Sequence, residues 1–334
     1  MERMRQLITD FPGQTLAAWQ LLQSAPTAFP WSDFQPAQAL VLGMGGSGIS
    51  GLIASRMLSA TAPIPVLAGS DYALPGWVGS GTLVIACSYS GATEETLSAV
   101  KQAADRGARI AVVTSGGTLG EWAAQHGWPA LHIPGGHPPR SQFGFGFYGV
   151  MHWLHVAGLV PAKLYAGLGG VPAHLAYNTT SAQERAAEIL EAIDGRNILL
   201  YGDTAQEGLL IRWRQQINEN GKLLCSHHVF PEMNHNELVG WEGAGPDEVV
   251  LMLQFPEDHP RTRIRMEICM DIFQELGADV VVIEPDGEDE MQRFFDLVHV
   301  GDWLSLLLAE AAGVDPVDIR NIDRLKNALA DIPE

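Results

Sequence analysis

The sequence predicts an α/β protein built from two doubly wound parallel sheets flanked by helices. Short apolar runs of strand length alternate with helical stretches at the pitch of a parallel sheet. The alternation begins again in the second half of the chain, which points to a duplicated unit. A length of 334 residues is about twice that of an ordinary domain, enough for two cores.

The elements follow in order. An opening helix carries Leu7, Ile8, Phe11, Leu16, Trp19, Leu21 and Leu22 at helical spacing, with Pro12 interrupting it. Ala39 to Gly43 reads as the first strand, and it ends in the turn GMGGSG before a helix from Ser47 to Leu58. Strands follow at Pro65 to Ala68, Thr82 to Cys87 and Arg109 to Thr114, with the turn SYSGAT and a helix from Glu94 to Arg106 between the last two. A seam near residues 160 to 196 holds Pro161, a Gly167 to Pro172 cluster and the helical AQERAAEILEAI. The plan then repeats, with strands at Asn197 to Tyr201, Glu248 to Leu253 and Asp279 to Ile283 and helices at about Gln206 to Gly221 and Arg261 to Leu276. Helices at about Glu290 to Ala312 and Ile319 to Leu329, separated by Gly313 and Pro316, close the chain. The expected organisation is a helical extension over 1–37, a first α/β domain over 38–165, a helical connector over 166–196 and a second α/β domain with C-terminal helices over 197–334.

Lys and Arg total 20 against 39 Asp and Glu, a formal net charge of −19 that repels nucleic acid phosphates and anionic lipid. No basic patch overrides it, so no nucleic acid partner is expected. Cys87, Cys225 and Cys269 are odd in number and lack CxxC spacing, which fits reduced thiols in the cytoplasm. The start MERMRQLITD has no apolar signal core, and Asp302 and Glu310 interrupt the apolar stretch from Leu297 to Val314. Neither export nor a membrane span is expected.

Gly43, Gly45 and Gly48 stand in GxGxxG spacing after a strand, which fits a dinucleotide site with Asp71 as the ribose acceptor. A phosphate monoester uses the same donors: the N–H groups of Gly45 and Gly46 and the hydroxyl of Ser47 at a helix start. The second loop favours the monoester, because Ser88, Ser90 and Thr93 present three hydroxyls at the end of a neighbouring strand. Neutral donors and helix dipoles also explain how so acidic a chain could hold a dianion. No GK[ST] follows the glycines, so a Walker loop is excluded.

GMGGSGISG and SYSGATEETL resemble the sugar isomerase (SIS) domain, which makes the predicted units SIS-type domains. INENGK at 217–222, PEMNHNELVGWE at 231–242 and the GVDP and RNIDRLKNAL segments near the end resemble the bifunctional phosphoglucose/phosphomannose isomerases. The resemblance runs from about residue 38 to the end. It implies an enzyme that interconverts glucose 6-phosphate, with mannose 6-phosphate as a second aldose, and fructose 6-phosphate. It also implies a homodimer in which His235 crosses the interface to open the sugar ring, and no cofactor.

Moving a proton between C1 and C2 of an open-chain sugar requires a base, a proton at the ring oxygen and a stabiliser for the enediolate. Glu219 suits the base: it lies near the end of an amphipathic helix, where a carboxylate opposes the dipole and gains nothing structurally. His235 lies in a loop dense with hydrogen-bonding groups, Asn234, Asn236 and Glu237, and an imidazole can both give and take a proton. Arg140 follows two prolines in a loop, and its guanidinium suits an enediolate oxygen, the role the resemblance implies. Lys326 is similar to the family's C-terminal lysine near the sugar ring. His227, His228, Glu232, His235 and Glu237 could instead ligate a metal for a hydride shift, although the enediolate route needs no metal and none is expected. Trp241 reads as loop packing. A sugar phosphate sensor of the SIS type is the alternative function, although the residues before the first strand are not basic.

Two positions depart from the family pattern. Ala92 replaces the amide commonly found in SGNTEE. Val317 and Ile319 stand where dual-specificity members carry a hydroxyl associated with accepting mannose configuration, so glucose 6-phosphate is the better supported aldose.

Overall fold

The computed structural model describes residues 1–330 and 332; Asp331, Pro333 and Glu334, the end of the predicted second domain, lie outside the described residues. Helices α1 (Glu2–Thr9) and α2 (Phe11–Gln23) lead into the first unit. That unit contains β1 (Gln38–Leu42), α3 (Gly45–Met57), β2 (Val66–Gly69), β3 (Thr82–Ser88), α4 (Glu94–Asp105), β4 (Arg109–Thr114), α5 (Gly117–His126) and β5 (Ala130–His132). Helices α6 (Phe143–Val156), α7 (Ala162–Gly167) and α8 (Val171–Ile193) join it to the second unit. There β6 (Asn197–Asp203), α9 (Glu207–Gly221), β7 (Cys225–Phe230), α10 (Glu237–Gly240), β8 (Glu248–Leu253), α11 (Pro260–Glu275) and β9 (Asp279–Ile283) follow in turn. The described chain closes with α12 (Glu290–Ala311) and α13 (Arg320–Ala330).

Both sheets are wholly parallel, in the orders β2-β1-β3-β4-β5 and β7-β6-β8-β9. The two doubly wound parallel sheets expected from the sequence are therefore present. Strands covered by helices on both faces need apolar side chains in both directions, and β3 (TLVIACS) is buried along its whole length. In each sheet the winding reverses between the first strand and its second neighbour, β1/β3 and β6/β8. Ligands bind such open sheets at the carboxyl ends of the strands where that reversal leaves a crevice.

The halves share one apolar core. Val41, Ile85 and Val113 of the first sheet, Leu200 and Leu251 of the second and the aromatic rings of α6 and α12 belong to the same cluster. Phe147 packs 5.5 Å from Phe294 and 5.7 Å from Phe295, centroid to centroid. Residues 1–37 belong to this core too: Phe11 lies on Phe295 and His299, and Arg5 pairs with Glu310. The opening segment is interrupted as expected: α1 ends at Thr9, and Pro12 sits in the first turn of α2, where a missing N–H costs nothing.

Helix α12 runs through the interior, and its buried aspartates are paired there. Asp296 accepts from Arg185 at 2.8 Å, and Asp302 accepts both terminal nitrogens of Arg212, at 2.7 and 2.9 Å. The two acidic interruptions noted in the sequence are thus an internal ion pair and a partner for Arg5. No helix among the described residues is long and apolar enough to cross a membrane.

Asp258, just beyond β8, is buried. Its Oδ2 accepts from the Phe255 N–H at 2.8 Å, and its Oδ1 has no partner among the described residues. Burial, reinforced by Asp203 and Glu257, raises its pKa to about 7. The folded protein then keeps a proton that the unfolded chain releases near 3.8, so this group's contribution to stability falls as pH rises between those values. The expected result for Asp258→Asn is a melting temperature that gains on the native protein between pH 5 and pH 8. About 1 kcal/mol would give a relative gain of roughly 1–2 °C in a chain of this length. Parallel melting curves at the two pH values would contradict the assignment.

Candidate active site

The two hydroxyl-bearing loops meet at the β1/β3 reversal. Leu42 ends β1, Met44 is extended, Gly45 turns at φ +50° and α3 begins there. The Ser47 and Gly48 N–H groups donate to the Met44 carbonyl at 3.0 and 3.1 Å, while those of Gly45 and Gly46 precede the first intrahelical acceptor. Gly48 has to be glycine, because a Cβ there would lie 2.4 Å from the Gly43 carbonyl oxygen. Ser47 accepts the Tyr89 N–H at 3.0 Å, tying this loop to the one after β3.

In that second loop the Ser88 and Thr93 hydroxyls are 2.9 Å apart, and Ser90 accepts the Ala92 N–H at 3.2 Å. Thr93 occupies the N-cap of α4, yet its side chain makes no cap hydrogen bond. Its hydroxyl is turned to Ser88 instead, so the loop does more than start a helix. Gly46, Ser47, Cys87, Tyr89, Pro139, Gln142 and Gly146 line a small cleft between the loops. The structure therefore brings Gly45, Gly46, Ser47, Ser88, Ser90 and Thr93 into one neighbourhood. Asp71, the ribose acceptor of the dinucleotide reading, is used locally and accepts the Ala73 N–H at 3.3 Å.

Arg140 joins this neighbourhood to the second half. It lies in the single 3-10 turn Pro139–Gln142 before α6, and its backbone rests on the glycine loop. A Cβ on Gly46 would come within 3.0 Å of the Arg140 nitrogen and 3.1 Å of its Cα. The side chain then crosses to α9 and the segment before α13. Nε donates to Asn220 Oδ1 at 2.8 Å, Nη1 to Glu219 Oε2 at 3.1 Å and Nη2 to the Pro316 carbonyl at 2.5 Å. The Arg140 side chain is only 7% exposed, against 30% for Glu219. Burial lowers the guanidinium pKa, and the Glu219 and Asp315 carboxylates oppose that shift.

The exposed side of Glu219 faces a cavity of about 720 Å³ that is also lined by Asn218, Lys222, Asp315, Asp318 and Ile319. Lys222, unremarked in the sequence reading, caps α9 in the left-handed conformation at φ +57°. Its Nζ donates to the Glu219 carbonyl and, at 2.7 Å, to that of Asp318, closing the cavity wall. Burial and the neighbouring Arg140 lower its pKa. Tyr89 and Gln142 were also missed: Tyr89 lies inside SYSGAT but was not counted with its serine and threonine hydroxyls, and Gln142 belongs to no hydroxyl or carboxylate pattern.

His235 and Lys326 do not line this cavity. His235 ends a 3-10 turn after the edge strand β7, with its side chain exposed. Its loop is pinned from behind: Tyr201 donates to Glu237, and Trp241 donates to the Tyr201 hydroxyl at 3.1 Å. Trp241 is buried and packs the loop, as the sequence suggests. Lys326 is exposed on α13, whose first turn supplies Arg320, Asn321 and Ile322 to the cavity. The five residues considered as metal ligands are not gathered: His227 meets Arg214, and His228 lies 3.9 Å from Glu237. Among the described residues no three His, Cys, Asp or Glu side chains form a group that could hold a metal ion.

Comparison with known proteins fits this arrangement. The bacterial phospho-glucose isomerase C-terminal SIS domain matches residues 182–329, and the SIS domain matches residues 34–123. The bifunctional phosphoglucose/phosphomannose isomerase of Caldicellulosiruptor bescii is 33% identical over 99% of this chain and 100% of its own length. The D-glucosamine-6-phosphate 4-epimerase of Sulfolobus acidocaldarius is 32% identical over 85% of this chain and 86% of its own. Among solved structures, the C-terminal domain of glucosamine-fructose-6-phosphate aminotransferase from Francisella tularensis superposes with a TM-score of 0.75 at 12% identity. That match covers 93% of this chain and 97% of that domain. With near-complete coverage of an isomerase relative at this identity, two matching domain families and two parallel sheets joined at one cleft, the chain belongs to the bifunctional phosphoglucose/phosphomannose isomerase family.

Proposed function

We propose that this protein is an aldose-ketose isomerase interconverting glucose 6-phosphate and fructose 6-phosphate by proton transfer through a cis-enediolate, with mannose 6-phosphate as a second aldose. The observation that carries the reading is the reach of Arg140, whose backbone rests on the phosphate-type loop and whose guanidinium meets Glu219 at 3.1 Å.

The phosphate is held by the N–H groups of Gly45 and Gly46, the hydroxyls of Ser47, Ser88, Ser90 and Thr93 and the dipoles of α3 and α4. The sugar then extends past Pro139 and Arg140 toward the larger cavity. His235, supplied by the second subunit of a homodimer, moves the proton that opens the ring. Its exposed position on an outward loop and its absence from the cavity lining support that origin.

In the open chain, Glu219 removes the C2 proton of the aldose, and the electron pair forms the C1–C2 double bond while negative charge collects on oxygen. Arg140 stabilises that oxyanion, and Lys326 contacts the sugar when α13 meets it. The O2 proton then passes to O1, and Glu219 returns its proton to C1 as the C2 carbonyl forms, giving the ketose with no atom gained or lost. Val317 and Ile319, the second of them lining the cavity, are the apolar residues before the last helix in the region where dual-specificity members carry a hydroxyl, which supports a preference for glucose 6-phosphate. Three free thiols support a cytoplasmic setting. The epimerase relative makes product identification essential, since a 4-epimerase and an isomerase share this scaffold.

Incubation with fructose 6-phosphate is expected to yield glucose 6-phosphate faster than mannose 6-phosphate, with chelator making no difference. Product formed only with added divalent metal would overturn the proton-transfer route. Glu219→Gln is expected to lower kcat by about 10³-fold while the KM for fructose 6-phosphate changes little. Retained turnover would remove Glu219 from the reaction.

Mixing inactive Glu219→Gln and His235→Ala chains after dissociation and reassociation tests the shared site. Half of the random dimers would contain both variants, each with one site built from two intact residues, and about a quarter of native activity would return. No recovery from mixed dimers would assign His235 to its own chain.

A further inference from the structure

Behind Arg140 lies a buried polar chain that no part of the proposed chemistry uses. Asn220 and Ser305 are each 0% exposed. Asn220 Oδ1 accepts from Arg140 Nε at 2.8 Å, and its Nδ2 donates to Ser305 Oγ at 2.9 Å. Ser305 in turn donates to the Asp302 carbonyl one turn back in α12, at 2.8 Å. The Asp302 carboxylate is itself fixed by Arg212, at 2.7 and 2.9 Å, and by Gln216 at 2.6 Å. The Arg212 guanidinium also lies over the Phe143 ring, 4.6 Å from its centroid.

The direction of each bond is determined by the one behind it. A serine hydroxyl has one hydrogen, and here it is committed to a helix carbonyl, so toward Asn220 the oxygen can only accept. Asn220 must therefore present its amide nitrogen to Ser305 and its oxygen to Arg140. The opposite orientation would set a donor against Nε, which is also a donor. A buried unmatched pair of this kind loses the hydrogen bond and keeps the full desolvation penalty of both groups.

We infer that Asn220 and Ser305 are positioning residues: together they set the plane of the Arg140 guanidinium so that Nη1 meets Glu219 while Nε stays occupied. The inference rests on the isomerase reading for its kinetic consequence but not for its geometry. Preorganised donors help a transition state only when they need no rearrangement as charge develops, so loss of the chain should lower kcat more than it raises KM.

The test compares Ser305→Ala in the native background and beside Asn220→Asp. A carboxylate offers Nε an acceptor in either orientation, so the second background no longer needs Ser305 to orient the group. With fructose 6-phosphate, Ser305→Ala is expected to reduce kcat about 10-fold with KM within about threefold, by analogy with modest losses of preorganisation. In the Asn220→Asp background the same substitution is expected to cost less than half as large a factor. No loss of kcat, or an equal loss in both backgrounds, would overturn the proposal, since a packing defect is indifferent to the chemistry at 220. Should Ser305→Ala not fold, Ser305→Cys, with its weak acceptor, enters the same comparison.

Solvent exchange of the Arg140 Nε–H, followed by NMR, separates this inference from the isomerase reading because it needs no turnover. It is expected to be several-fold faster in Ser305→Ala than in the native protein and to return toward the native rate in the double variant. Unchanged exchange would refute the positioning role even in an active enzyme. Accelerated exchange in a protein that makes no glucose 6-phosphate would uphold the positioning role and refute the function.

Discussion

The arrangement depends on a single buried guanidinium. Arg140 belongs by sequence to the first half, but three of its five N–H donors are engaged by α9 and the segment before α13, which leaves two for a substrate oxygen. A buried cation must be paired or it forces a large desolvation cost, so Glu219, Asn220 and the Pro316 carbonyl are constrained to stay where they are. The constraint works both ways. Glu219 is kept at the rim of the cavity with one oxygen engaged and the rest of the carboxylate accessible, as a group that must touch substrate requires. Because Gly46 allows the Arg140 backbone to sit directly on the first loop, anion site and carboxylate are held in a fixed relation across the halves.

The rest of the site follows from the need to hold an anion in an acidic chain. A net charge of −19 would ordinarily repel a phosphate monoester. Two helix starts and four hydroxyls at the β1/β3 reversal offer fixed neutral donors there, and no lysine or arginine is required beside them. The cationic residues Arg140 and Lys222 are placed at the other end, around Glu219. There a transient negative charge on sugar oxygen would develop, and burial strengthens its attraction to them. At the corresponding β6/β8 reversal the loops instead carry Asp203, Glu257 and the partly unpaired Asp258, which suit no phosphate. The duplicated architecture has thus kept the sheet and changed the chemistry at its ends.

Much of this was legible in the sequence, for identifiable reasons. Strands such as Thr82–Ser88 are continuous apolar runs between turn signals, and the glycine and hydroxyl loops are local patterns that report themselves. Helix α6 was not recognised, because FGFGFYGVMHWLHV is rich in glycine and aromatics and is buried on nearly every side, which erases the polar face that marks a helix. Strand β7, CSHHVF, escaped because it lies at a sheet edge and carries two polar histidines. Glu219 and Arg140 were each found, but not their meeting. Asn220, Ser305 and Lys222 were missed because their contacts span up to about a hundred residues of chain and have no local signature. His235 and Lys326 came into view through family resemblance, and a single chain gives neither a place in the cavity.

The account is tested most directly by a crystal structure of the Glu219→Gln protein with fructose 6-phosphate bound. The predicted density has the phosphate between Ser47 and Thr93, with C1 and C2 against residue 219 and a sugar oxygen on the Arg140 guanidinium. A phosphate seated in the Lys222 cavity, or a sugar whose reactive carbons point away from residue 219, would contradict it.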